Sequence, residues 1–167
     1  MNMAKQIRLD DIAILLQIFG ESYEKRAWHG TNLRGSIRGL TPKEASLRIS
    51  KDRHNIWEVV VHCAYWKYVV RRRLLGEKKG SFPLKGSNWF KRPLRMTEKA
   101  WQEDIALLEE THRLLRDAIA SQRPSDLRKK QSGSKWTNLQ TISGIASHDL
   151  YHAGQIQLLK RLLRKHS

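Results

Sequence analysis

Cysteine is all but absent: Cys63 is the single one in 167 residues. No disulfide can form within the chain, which excludes a cross-linked secreted scaffold and predicts a cytoplasmic location. Long apolar runs are missing too. Nothing approaches the ~20 residues needed to cross a bilayer, so no membrane partner is expected. The opening stretch MNMAKQIRLDD reaches acidic residues before any apolar segment, so no signal peptide is expected. Acidic residues are scarce, 16 against 32 Lys and Arg, for a net charge of +16. Such a surface attracts anions, nucleic acid included. The basic residues are spread over KYVVRRR, KRPLR, RKK and KRLLRK, as on solvated helix faces. Nucleic-acid binding is therefore an alternative and not the leading expectation.

Proline is also sparse, with four in the chain, and its placement divides the sequence. Pro83 and Pro93 fall in the loop GEKKGSFPLKGSNWFKRP, and Pro124 follows AIASQ. Pro42 follows Thr41 and precedes Glu44, the pattern of an N-cap, an N1 proline and a capping box opening a short helix. Between these signals lie four long helical patterns. They cover about 8–26 (Ile12, Leu15, Leu16, Phe19, Tyr23), 53–76 (Ile56, Val59, Trp66, Val70, Leu74), 98–122 and 138–165. The third is capped by Thr97 and carries Trp101, Ile105, Leu108, Leu115 and Ile119. The fourth is capped by Thr137, with Gln140 closing a capping box. No alternating strand-length run competes with them. Residues 1–167 therefore read as one all-α domain, a four-helix bundle with a short extra helix between its first two long ones. The connections, about 26, 20 and 15 residues, exceed the usual bundle loop. They are expected to cover an end of the bundle and wall a pocket.

Histidines supply the candidate chemistry. His148 and His152 are four residues apart, one helical turn, and continue the apolar stripe Ile145, Ile156, Leu159, Leu163. His62 continues Val59, Trp66 and Val70 in the second helix, so it also faces inward. A single inward histidine is ordinarily a core residue bonded to a carbonyl or carboxylate. Three from two helices, brought together without an ion, would leave several ring nitrogens desolvated. A divalent metal would use one lone pair from each ring and leave a position for water or substrate. Asp149 and Gln155 are candidates to orient the rings, or else face solvent. Cys63 points about 100° away from His62 around the helix and makes a poor fourth ligand.

The segments HNIWEVVVHCAYWKYVVRRRL and ASHDLYHAGQIQLLKRL resemble the DinB-like (YfiT-related) superfamily, and AWHGTNLRGSIRGLTPKEA resembles the approach to its second helix. The resemblance covers nearly the whole chain. It implies a four-helix bundle, often a homodimer, with zinc, nickel or a related divalent ion on three histidines, here His62, His148 and His152. Characterised members include metal-dependent transferases and isomerases that use low-molecular-weight thiols such as bacillithiol or mycothiol.

Other residues could line the pocket or serve the core. His29 opens a long connection that could reach the metal or simply form a loop hydrogen bond. Trp66 and Tyr151 lie beside the ligands in sequence and serve either the pocket or the core. His112 shares the inner stripe of the third helix as a further ligand or a core histidine. His54 and His166, at helix ends, are expected to see solvent, and Cys63 is reactive thiol or packing. Gly144 and Gly154, costly within a helix by about 1 kcal/mol each, suggest close helix approach. The leading expectation is a metal-dependent S-transferase joining a thiol to an electrophilic small molecule. The alternatives are a metal-dependent hydrolase, a non-catalytic metal-braced dimer and a basic nucleic-acid-binding protein.

Overall fold

The computed structural model describes residues 10–78, 80–131 and 133–165. Its elements are α1 (Asp11–Tyr23), α2 (Leu33–Ile37), α3 (Pro42–Ser46), α4 (Ile56–Leu75), α5 (Glu98–Ala120) and α6 (Asn138–Lys165), with a 3₁₀ turn at Pro124–Asp126. No strand occurs among the described residues. His166 lies outside them.

Local chemistry sets the helix starts. Thr41 and Glu44 form the expected capping box, with Pro42 at the first turn of α3. Asn55 and Glu58 form a second one at the start of α4, and Gly76 closes that helix in the left-handed region at φ 68°. Thr137 and Gln140 bond reciprocally at the start of α6. Two expectations are corrected here. Asp10 caps α1, which stops at Tyr23, so this helix is shorter than the expected 8–26. There are also two short helices before α4; α2 is capped by Asn32 and its single turn is too brief to show a periodic stripe.

The four long helices form a closed ring in which α1 and α4 each pack on α5 and α6. Trp57 of α4 meets Trp101 and Asp104 near the start of α5. Val70 and Leu74 share a cluster with Leu115 and Ile119 further along, so α4 and α5 run parallel. His62, near the start of α4, meets His148 and His152, while Arg73 near its end lies by Thr141, so α6 runs antiparallel to α4. A parallel pair needs a connection that returns the length of the helix, about 30 Å for α4. The segment after Gly76 makes this return along the flank of α4. It packs Phe82 on Tyr65 and Tyr68 and Phe90 on Tyr65, and it places Arg92 by Glu58. A Cβ at Gly80 would collide with Tyr68 and Arg72, so glycine permits the strap's close approach. The connection thus covers a side of the bundle, where an end was expected.

The apolar core falls into two clusters. One joins Trp57, Val60, Trp101, Leu108 and Ile156; the other joins Leu15, Phe19, Leu115, Ile119 and Ile142. Fully buried polar groups cross the bundle near their boundary, among them the Lys67–Asp149 ion pair, both side chains 0% exposed. The Lys67 ammonium also faces the rings of Phe19 and Tyr23 at 4.9 and 5.0 Å.

Candidate metal centre

Helical spacing and antiparallel packing bring His62 of α4 against His148 and His152 of α6. His148 Nε2 lies 3.1 Å from His62 Nε2 and 3.1 Å from His152 Nε2. His62 and His152 are buried and His148 is half-buried. His62 Nδ1 lies 2.8 Å from the Asn88 carbonyl, which can only accept, so Nδ1 carries the hydrogen. His152 Nδ1 likewise donates to Gln155 Oε1 at 2.7 Å. In both neutral rings Nε2 is then a bare lone pair aimed at the same small volume. His148 Nε2 could donate to one of them, never to both.

The rings are held neutral. Burial lowers the pKa of all three. His148 falls to about 3, with His152, His62 and Lys67 adding to the effect of burial. His152 falls to about 4, with His62 adding to burial and the Gln155 bond opposing it. The His62 ring is also pushed down by burial, against the Asn88 bond. Three neutral imidazoles with converging lone pairs are the donor set a divalent ion takes. Metal–nitrogen bonds of about 2.0–2.1 Å at tetrahedral angles set nitrogens roughly 3.3 Å apart. The spacings present fit that requirement.

Parts of the site were invisible to periodicity. Asn88 and Trp89 belong to the strap. Asn88 sits at φ 63°, its carbonyl bonded to His62 and its side-chain oxygen accepting from Trp66 Nε1 at 2.9 Å. Trp89 lies flat on His62, centroids 3.9 Å apart, and its ring also stacks with His54 at 3.7 Å. The available sequence signal was SNWF, an asparagine suited to the left-handed region beside a tryptophan in a polar loop.

Among the orienting candidates, Gln155 bonds His152. Asp149 is fully buried against Lys67 and does not face solvent. Burial raises its carboxyl to about 6, against the pull of the Lys67 ammonium. Cys63, Asp149 and His148 also each offer an atom within 4.8 Å of the others. They form the poorer donor set, because Asp149 already serves Lys67 and burial pushes the Cys63 thiol well above its ordinary pKa.

Two clefts meet at the histidines. One, about 490 Å³, runs from His148 past Trp66, Ile145 and Gly144 to Arg73 and Trp136. The other, about 390 Å³, reaches His152 from the opposite side between Trp89, Tyr151, Arg53 and Leu158. Trp66 and Tyr151 therefore line clefts, one on each side. His54 is exposed just before α4, as expected, and it also lines the second cleft and bonds Glu58 at 3.0 Å. His29 is exposed and lines neither cleft. His112 is buried between Phe19 and Tyr23, its ring stacked on theirs at 4.4 and 3.8 Å, and is not part of the histidine group. The close-approach reading of Gly144 and Gly154 is overturned: a Cβ at either would meet nothing within 4 Å.

The fold and site define a class: a helical bundle with an open three-imidazole group between two antiparallel helices. The chain belongs to the DinB superfamily, whose family model matches residues 26–156. No curated protein and no solved structure matches it.

Proposed function

We propose that this protein is a divalent-metal enzyme, zinc or nickel held by His62, His148 and His152, that transfers a low-molecular-weight thiol to an electrophilic small molecule. The convergence of three imidazole lone pairs, with two rings fixed by Nδ1 hydrogen bonds, carries the metal reading. A divalent ion there would supply a Lewis acid able to keep a thiol deprotonated at neutral pH. The residues supply the rest. Asn88 and Gln155 hold two rings in the donating tautomer, and Trp89 covers the His62 face against water.

Separate clefts at His148 and His152 suit a reaction with two substrates, one entering from each side. Neither cleft is lined by a carboxylate among the described residues, so the hydrolytic alternative has no carboxylate general base there. Elemental analysis of purified protein tests the ion: about one per chain in wild type and none in His148→Ala is expected, and equal metal in both refutes the site. Thermal shift of the metal-loaded protein with bacillithiol, mycothiol, glutathione and coenzyme A then tests the thiol. A rise for one of them, lost after chelation, is the expected result. No rise for any of the four removes the transferase reading.

A further inference from the structure

The cleft beside His148 has features that the histidine group does not explain. Its walls are Trp66, Val70, Ile145 and Trp136, an apolar lining with one cation, Arg73, at the far end. Arg73 is exposed and makes no ion pair among the described residues, whereas its neighbour Arg71 is paired with Glu77. Gln140, Thr141 and Ser143 add polar groups to the lining.

The floor includes Gly144, placed inside a helix where glycine costs about 1 kcal/mol relative to alanine. Its backbone is not in the left-handed region, and a Cβ there would meet nothing. The fold therefore does not require glycine at this position, while the open cleft benefits from it. Thr141, which lines the cleft together with Arg73, and His148 are seven residues apart on α6, about 10 Å along its axis.

We propose that this cleft binds an elongated organic carboxylate: its carboxylate pairs with Arg73, its apolar chain lies over Gly144 between Trp66 and Trp136, and its other end reaches His148. A single guanidinium matches a carboxylate through two parallel hydrogen bonds, whereas a phosphate dianion calls for more positive charge than this lining holds. The excess of 16 positive charges over the chain favours the arrival of an anion. The inference rests on the metal-enzyme reading only for the role of the His148 end.

Isothermal titration of the full chain with octanoate and with octanamide, after chelator treatment and again with zinc, tests it. Octanoate is expected to bind the chelator-treated protein. Arg73→Met is expected to weaken octanoate at least fivefold and leave octanamide unchanged. Gly144→Leu, which extends a side chain into open space, is expected to abolish both while far-ultraviolet circular dichroism stays as in wild type. Octanoate binding that is absent, or unchanged in Arg73→Met, overturns the proposal, as does a folded Gly144→Leu that binds as wild type does. Octanoate binding that needs zinc and vanishes in His148→Ala would place the carboxylate on the ion and also overturn it. If zinc fails to bind while the Arg73 and Gly144 effects appear, the cleft stands and the metal reading falls.

Discussion

Two sets of inward-facing imidazoles occupy the middle of this bundle, and they have opposite surroundings. His112 is stacked between two aromatic rings, and no cleft described above reaches it. His62, His148 and His152 turn their Nε2 atoms toward one another, with Nδ1 of two rings bonded away from the centre. Each set lies on an apolar stripe and each is held neutral by burial. Burial therefore does not make a ligand. What separates the two is where the lone pairs point and whether a small molecule can reach them.

Lys67 lies between the sets, its ammonium against Asp149 and over the Phe19 and Tyr23 rings that enclose His112. The pair consumes the carboxylate next to His148 and holds that stretch of α6 against α4. It belongs to the scaffold of both sets.

Four substitutions break or sharpen the contrast. The largest effect is expected from His148→Ala, with complete loss of bound metal by elemental analysis, against full retention in His112→Phe. Next is Lys67→Met, which leaves the Asp149 carboxylate buried without its cation. Urea denaturation should show a loss of about 3–5 kcal/mol, recovered largely in Lys67→Met/Asp149→Leu. Gln155→Leu removes the acceptor that fixes the His152 tautomer. Competition with a chelator should show metal affinity lower by about 10–100-fold, with little change in apo stability.

The smallest effect is expected from His112→Phe at neutral pH, and its signature is pH dependence. Burial, then Lys67 and Arg116, push the His112 pKa down from 6.5 to about 2. The unfolded chain takes up a proton near 6.5 that the fold refuses, so this group costs stability progressively as pH falls below about 6.5. The apo triad histidines act in the same direction in both proteins. Urea midpoints between pH 7 and 4 should therefore fall less steeply in His112→Phe than in wild type. Parallel curves would show that His112 is not the source.

Much of this was legible in one dimension. Apolar residues at helical spacing predicted the four long helices, and Thr41, Thr97 and Thr137 marked three starts because a side-chain oxygen there satisfies a free backbone N–H. The i, i+4 histidines declared a shared face because 3.6 residues make a turn. Less legible were α2, a single turn with no period, and the strap, whose residues pack by shape. His29 drew attention through its neighbours in sequence, yet the chain carries it out to solvent. The cost of glycine in helices points to close contacts at Gly144 and Gly154, but cost alone does not say which side of the helix is open.

The sequence by itself determined the four long helices, the inward faces of His62, His148 and His152 and the family, because each depends on periodicity or on local motifs. Only the tertiary structure decided that α4 and α6 meet antiparallel, that Asn88 and Trp89 close over His62, that Lys67 pairs with Asp149, and that clefts open on both sides. Those depend on contacts between residues as far apart as Lys67 and Asp149, and no local pattern encodes which distant atoms a side chain will meet.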